Sequence, residues 1–381
     1  MKIGVLGAGM VGRAIAYDLG KKHEVTAFDA SQQALNTLAA MAPHVTGCVF
    51  DLGAFHSYPT LLAPFDFVVT CLPGFMGYKA LEAVIQSRKS VADISFFPED
   101  SAGLDELARE MGVTVITDCG VAPGMSNFIL GYHDVAMKVS RFECLVGGLP
   151  TTRIKPYEYK APFSPIDVIE EYTRPARMMI NGKITELPAL SDPELIDFEG
   201  MGTLEAFNTD GLRSLLFTKG HIPNMKERTL RYPGHIDLIK SLQGGGFFDT
   251  RKINWNGLEI SPLEFTSKIL IDKWKSAPDE SEFTVMKITV EGTTPALEKK
   301  KVTYSLLDRN DPITGLSSMA RTTGFTCTAS LEMLMQGLFD KKGVFPPELV
   351  GSHNPCFEFL MDYLKVRGVN YRVDETITPS T

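Results

Sequence analysis

The sequence predicts an α/β fold, a doubly wound parallel sheet joined to a second α+β unit whose sheet is mostly antiparallel. Three observations predict it. Through the first 120 residues, short apolar runs alternate with stretches of helical periodicity. A Gly-x-Gly-x-x-Gly pattern joins the first apolar run to the first helical one. Beyond Gly124, strand-like runs recur with apolar and polar residues alternating and with no helical pattern between them.

Ile3, Val5 and Leu6 read as a short buried strand, and apolar residues fall at helical spacing from Met10 to Leu19. Between them, Gly7 permits a tight turn, Gly9 leaves the backbone bare for a pyrophosphate, and Gly12 lets the helix lie close to the strand. The N–H groups of the first helical turn, at Met10 and Val11, then face the phosphates. A second strand, Glu24 to Phe28, ends in Asp29, 17 residues beyond Gly12, where an acid bonds the adenosine ribose. A third run, Val45 to Phe50, leads into Asp51 and Leu52, placed to flank the adenine. A fourth, Phe67 to Leu72, ends in Pro73-Gly74, so that Leu72 and Pro73 border the nicotinamide half. The helix Met76 to Ser87, the strand Val91 to Ile94, a helix Ser101 to Met111 capped by Ser101 and stopped by Gly112, and a sixth strand Val113 to Thr117 follow. Residues 1–124 are therefore expected to form a Rossmann dinucleotide-binding domain.

Asp29 selects the cofactor. A carboxylate accepts hydrogen bonds from the ribose hydroxyls of NAD but repels the 2′-phosphate of NADP. One such pair at about 4 Å and an effective dielectric near 20 costs roughly 4 kcal/mol. No arginine follows in Ala30-Ser31-Gln32-Gln33 to offset it. NAD is the expected cofactor.

Residues 125–317 form the expected second unit. Its strands are Arg141 to Val146, Phe283 to Val290 and Lys301 to Leu307, with alternation in Met286, Ile288 and Val290 and in Val302, Tyr304 and Leu306. Between them, Leu149 to Pro262 reads as a long irregular segment whose loops reach toward the cofactor. Thr314 to Leu334 and Glu358 to Val366 return to helical character, so residues 318–381 are expected to pack back on the first domain. The last four residues, Thr378 to Thr381, are expected to be disordered.

The 381 residues, 44% hydrophobic and 22% charged with a net charge of −8, describe a globular protein without the basic stripe that nucleic acid requires. No apolar run reaches the length of a membrane helix. No signal-like segment opens the chain, and the six cysteines are scattered without a Cys-x-x-Cys pair. A cytoplasmic protein with reduced thiols, no metal site and a small-molecule partner is expected.

At the strand ends, Asp93-Ile94-Ser95-Phe96 and Asp118-Cys119-Gly120 combine carboxylates and a hydroxyl with tight turns, a floor suited to an amine substrate. In the middle segment, Arg213 and the stretch Thr229-Leu230-Arg231-Tyr232-Pro233-Gly234-His235 set arginines beside turn residues. Two arginines converging on a carboxylate make a charge-assisted clamp. Taken singly, Asp93, Asp118 and His235 stay open between structural and catalytic roles.

The glycine fingerprint, Asp93 to Phe96, Gly120-Val121-Ala122-Pro123-Gly124, Thr229 to His235 and Pro346-Pro347-Glu348 together resemble the saccharopine dehydrogenase family, and most closely its lysine 6-dehydrogenase branch. The resemblance implies that Arg213, Thr229, Leu230 and Arg231 hold substrate, that Ser95 and Phe96 sit where nicotinamide meets substrate, and that the chain assembles as a homo-oligomer. It further implies NAD-dependent oxidative deamination of the ε-amino group of L-lysine to 2-aminoadipate 6-semialdehyde, ammonia and NADH. Because a lysine ammonium must lose a proton first, His235 backed by Asp93 is the expected base. Saccharopine dehydrogenase or carboxynorspermidine-type chemistry is the alternative, and a non-catalytic NAD(H) sensor is the alternative of another class.

Overall fold

The computed structural model describes residues 1–162, 165–277 and 280–379. The first unit is a parallel sheet built from β1 (Lys2–Leu6), β2 (Glu24–Asp29), β3 (Thr46–Val49), β4 (Phe67–Thr70), β5 (Ser90–Asp93) and β6 (Thr114–Ile116). These lie in the order β6-β5-β4-β1-β2-β3. The chain runs outward from β1 in one direction and returns to β4 on its other side. A crevice therefore opens at the carboxyl ends of β1 and β4, where open α/β sheets bind ligands.

The helix Met125–Ala136 leads into a second sheet. Its strands are β7 (Lys138–Pro150), β8 (Ala176–Ile180), β9 (Lys183–Leu187), β10 (Glu194–Phe198), β11 (Gly202–Asn208) and β12 (Asn224–Arg231), joined later by β15 (Glu282–Thr293) and β16 (Lys299–Arg309). The short hairpin of β13 (Ile253–Trp255) and β14 (Leu258–Ile260) stands apart. Every pairing in the second sheet is antiparallel except that of β12 with β7, which is parallel. The segment expected to be irregular, Leu149 to Pro262, thus holds seven strands, β8 to β14. Several are amphipathic or largely exposed pieces of three to five residues, too short for an alternation pattern to stand out.

The helix Ser318–Met335 lies between the units and is buried nearly all round. It packs on the helix Met10–Gly20, with Gly324 against Ala14, and on β15. Its Thr322, Thr326 and Ser330 hydroxyls bond carbonyls one turn back, so their burial leaves no orphan. Strand β17 (Gly343–Phe345) then extends the first sheet beside β6. Asp18 Oδ2 accepts from Thr328, Tyr363 and Arg367, fixing the C-terminal helices to the first unit.

Not all of the C-terminal segment returns there. β18 (Arg372–Thr378) pairs with β16 at the edge of the second sheet, so Thr378 is ordered in a strand rather than part of a loose tail. Ser380 and Thr381 lie outside the described residues. The helix expected from Ser101 begins as a 3-10 turn, Ser101–Leu104, capped by Asp100, and its Gly112 stop holds φ of 70°.

Candidate active site

One cavity of about 650 Å³ runs from the glycine loop of the first unit into the face of the second sheet. Gly7, Gly9, Met10, Val11 and Gly12 line one end. Gly7 has φ of 109°, and a Cβ there would strike the Cys71 carbonyl; a Cβ on Gly12 would strike the Gly7 carbonyl. Gly9 has nothing within 4 Å of where a Cβ would stand, and no side chain caps the helix that follows. The loop is thus a bare cradle before a helix N-terminus, which fits a dinucleotide pyrophosphate.

Asp29, Asp51, Leu52, Leu72 and Pro73 line the same half. Asp29 Oδ2 accepts from Ala8 N–H at 2.7 Å and Oδ1 from Ser31 N–H at 2.8 Å, which fixes the carboxylate beside the loop. Asp51 Oδ1 accepts from Gly53 N–H at 2.9 Å. No arginine lies in residues 30–33, but the fold brings one from the helix. Arg13 bonds the Ala8 carbonyl at 3.2 Å; burial lowers its pKa and Asp29 opposes that shift.

Phe96 lines the cavity, whereas Ser95 does not. Ser95 is buried behind Leu72, accepting its N–H at 3.2 Å. Its expected place at the cofactor–substrate boundary is corrected to one layer back, tying the β4 loop to the β5 loop.

The far half is walled by β12, by the helix Pro165–Thr173 and by the turn Thr209–Gly211. Successive strand residues point to opposite faces, so Glu227, Thr229 and Arg231 face the cavity together. Glu227 and Thr229 lie beside Cys144 and Val146 of β7. Thr229 Oγ1 shares a hydrogen bond with Thr209 Oγ1 at 2.9 Å. Leu230 falls on the other face, fully buried with Leu145 and Phe207, and is corrected from a substrate ligand to a core residue.

The expected two-arginine clamp is also corrected. Arg231 lines the cavity, already donating to Tyr172, the Leu230 carbonyl, Tyr159 and Glu171. Arg213 does not line it: Nε donates to Asp118 Oδ2 at 3.0 Å and Nη1 to the Phe97 carbonyl at 2.9 Å, with the guanidinium over the Phe96 ring. It braces the junction between the units.

His235 and Asp93 are not brought together, and neither lines the cavity. Both His235 ring nitrogens are engaged, Nδ1 with the Tyr157 carbonyl at 2.8 Å and Nε2 with the Tyr172 hydroxyl at 2.9 Å. Burial, then the nearby Arg231, lower its pKa to about 3. The expected base is instead a neutral brace behind Tyr172 and Arg231. Asp93 Oδ1 accepts from Thr70 at 2.6 Å at the carboxyl end of β5, and burial raises its pKa to about 7.

Apart from Asp118, already among the candidates, the carboxylates of the cavity are the residues that sequence reasoning missed. Asp118, Asp167, Glu170, Glu171, Asp210 and Glu227 wall the far half, against Arg174 and Arg231 among the described residues. Glu227 was legible in principle, two and four residues before Thr229 and Arg231 on one strand. Glu170 and Glu171 were not, because only the folded chain brings their helix to the cavity. Among the described residues no cluster fit for a metal ion occurs, and no helix is long and apolar enough to cross a membrane.

A parallel sheet with a glycine cradle at its switch point, opening into a chamber on a second sheet, defines a two-unit protein built on a dinucleotide-binding fold. The chain belongs to the saccharopine dehydrogenase family: the family's NADP binding domain matches residues 3–116 and its C-terminal domain residues 120–369. It is 26% identical over 320 residues to the Pyricularia oryzae saccharopine dehydrogenase [NADP(+), L-glutamate-forming], covering 79% of this chain and 69% of that protein. It is 22% identical over 390 residues to the mitochondrial alpha-aminoadipic semialdehyde synthase of Bos taurus, covering 84% of this chain but spanning only 41% of that protein's length. The fold resembles the L-Glu-forming saccharopine dehydrogenase of Saccharomyces cerevisiae, with a TM-score of 0.79, 18% identity and coverage of 98% and 99% of the two chains. It also resembles the homospermidine synthase of Legionella pneumophila in complex with NAD, with a TM-score of 0.69, 12% identity and coverage of 100% and 92%.

Proposed function

We propose that this protein is an NAD-dependent amine oxidoreductase that deaminates the ε-amino group of L-lysine, giving 2-aminoadipate 6-semialdehyde and ammonia. The observation that carries this reading is the excess of carboxylates in the chamber, which remains when Arg177 and Arg213, bonded to Asp210 and Asp118 from outside it, are counted with Arg174 and Arg231. An ammonium gains about 4 kcal/mol from one carboxylate at 4 Å and an effective dielectric near 20, and a substrate carboxylate loses as much. A cation with one carboxylate suits such a chamber. Arg231 and Arg174 are the groups available to the α-carboxylate, and the Phe96 ring lies under the Arg213 guanidinium in the cavity wall.

Gly7 to Gly12, Asp29, Asp51 and Leu52 would hold the dinucleotide, which supplies the hydride acceptor when bound. Asp29, already oriented by two backbone N–H groups, supports NAD over NADP. His235 and Tyr172 keep Arg231 in place, and the acidic wall orients the amine.

A second reading is NADP-linked saccharopine oxidation. The printed activity of the fungal relative favours it, as do Arg13 beside Asp29 and the two chamber arginines, which would serve a substrate with more carboxylates. Purified protein assayed at alkaline pH for NADH or NADPH formation, with lysine and with saccharopine in separate reactions, decides. Turnover with lysine and NAD plus ammonia release supports the first reading; turnover with saccharopine alone replaces it. NADH binding without turnover of either would turn the protein into a sensor.

A further inference from the structure

We propose that Glu227 is a catalytic carboxylate: it anchors the substrate ammonium and takes its proton, leaving the neutral amine from which hydride can depart. This rests on the amine-oxidation reading above. In the step, one N–H bond of the ammonium breaks and an O–H bond forms on Glu227. The electron pair of the broken bond stays on nitrogen as the lone pair.

Among the chamber carboxylates, Asp118, Asp210, Glu170 and Glu171 are each bonded to an arginine, namely Arg213, Arg177, Arg174 and Arg231. Glu227 differs. It is only 4% exposed, it lines the cavity, and its Oε2 has no hydrogen-bond partner among the described residues. An enclosed carboxylate oxygen without a donor is costly unless a ligand supplies one, and an ammonium supplies three. The position is also built around the side chain. A Cβ on Gly211 would collide with Glu227 Oε1, so the bare glycine makes its room. Thr229 and Arg231 follow on the same strand face, which places a hydroxyl and a guanidinium along the substrate beyond its amine.

Every element around Glu227 bears on its titration. Burial acts first, then Glu171 from the helix, Asp210 from the turn and Asp118 from the β6 loop, all raising its pKa; Arg213 opposes them, and the sum is about 8. Cys144, behind it on β7, stays a neutral thiol well above its usual range. The free protein at pH 7 therefore holds Glu227 mostly protonated, and an arriving ammonium must displace that proton.

The test is calorimetric binding of L-lysine to the NADH-loaded protein at pH 7, in two buffers of different ionisation heat, together with pH profiles of turnover. The wild type is expected to release close to one proton per lysine bound. Glu227→Gln is expected to bind lysine more weakly, release none, and lose about a hundredfold in kcat, while NADH binding is unchanged. Equal proton release by wild type and Glu227→Gln, or an unaltered pH profile in the variant, overturns the proposal. Should Glu227→Gln fail to bind NADH, Glu227→Asp decides: proton release persists with a displaced profile, and an undisplaced one overturns the proposal. A wild type that neither binds lysine nor oxidises any amine, with NADH bound, removes the amine reading itself and this proposal with it.

Discussion

Arg213 Nε donates to Asp118 Oδ2 at 3.0 Å, and both residues hold a left-handed backbone, with φ of 46° and 54°. Each such non-glycine position costs on the order of 1 kcal/mol. The conformations persist because the pair is over-determined: the Phe97 carbonyl takes a second bond from the guanidinium, and the Phe96 ring lies beneath it at 4.6 Å. The strained pair joins the loop after β6 to the segment between β11 and β12, and so sets how the chamber meets the cofactor crevice.

Asp118→Asn is the sharpest probe of that junction. Asparagine tolerates the left-handed backbone but leaves Arg213, about nine-tenths buried, without its counter-charge. A loss of about 3 kcal/mol in urea unfolding is expected. Because Asp118 also helps raise the Glu227 pKa, the pH profile of turnover should move toward lower pH in the same variant.

Asp29→Ser tests cofactor choice. The variant removes the acceptor for two backbone N–H groups and the charge that faces a 2′-phosphate, while Arg13 stays beside the loop. The ratio of NADPH to NADH affinity should rise by on the order of a thousandfold, the equivalent of roughly 4 kcal/mol. Fluorescence titration of both reduced dinucleotides measures it; an unmoved ratio would show that Asp29 does not choose the cofactor.

The first unit was legible because its evidence is local. Strand, glycine turn and helix follow one another within Lys2 to Gly20, and Asp29, Asp51, Leu72 and Pro73 close strands that the apolar runs mark. The second unit was less so. Its strands β8 to β11 and β13 to β14 are short or polar, and the parallel pairing of β12 with β7 joins residues some 80 positions apart, such as Glu227 and Cys144. Leu230 was misassigned although the period of two puts it opposite Thr229 and Arg231. His235 was misassigned for a different reason: nothing in its neighbours along the chain announces that Tyr157 and Tyr172 will occupy both ring nitrogens.

That enclosure makes His235 testable through stability. Its folded pKa is about 3, against an ordinary value near 6.5, so the unfolded chain binds a proton that the folded one refuses as pH falls below 6.5. The wild type loses up to about 1.4 kcal/mol per pH unit in that window on this account. His235→Gln has no such group. The stability difference between wild type and variant should therefore shrink by about 2 kcal/mol from pH 7 to pH 5 in urea melts. The turnover profile above pH 6 should keep its shape, since the imidazole is neutral throughout; a displaced profile would return His235 to the role of base.

Gly211→Ala separates the amine site from the dinucleotide site. The new Cβ meets Glu227 Oε1, so the carboxylate must leave its place. The glycine lies at the turn Thr209–Gly211 after β11 of the second unit, whereas the Gly7 to Gly12 cradle follows β1 of the first. NADH affinity should therefore be unchanged while kcat/KM for lysine falls by about a hundredfold, the scale of a displaced proton acceptor. Stability carries a second signature with a definite sign. In the wild type the raised Glu227 pKa means that stability is fully present below the ordinary carboxylate value near 4.3 and is lost as pH rises to about 8, at up to about 1.4 kcal/mol per unit. A carboxylate pushed toward water escapes that loss. Whatever the added methyl costs in packing, the gap between wild type and Gly211→Ala should narrow as pH rises from 5 to 8, and a gap independent of pH would show that Glu227 had not moved.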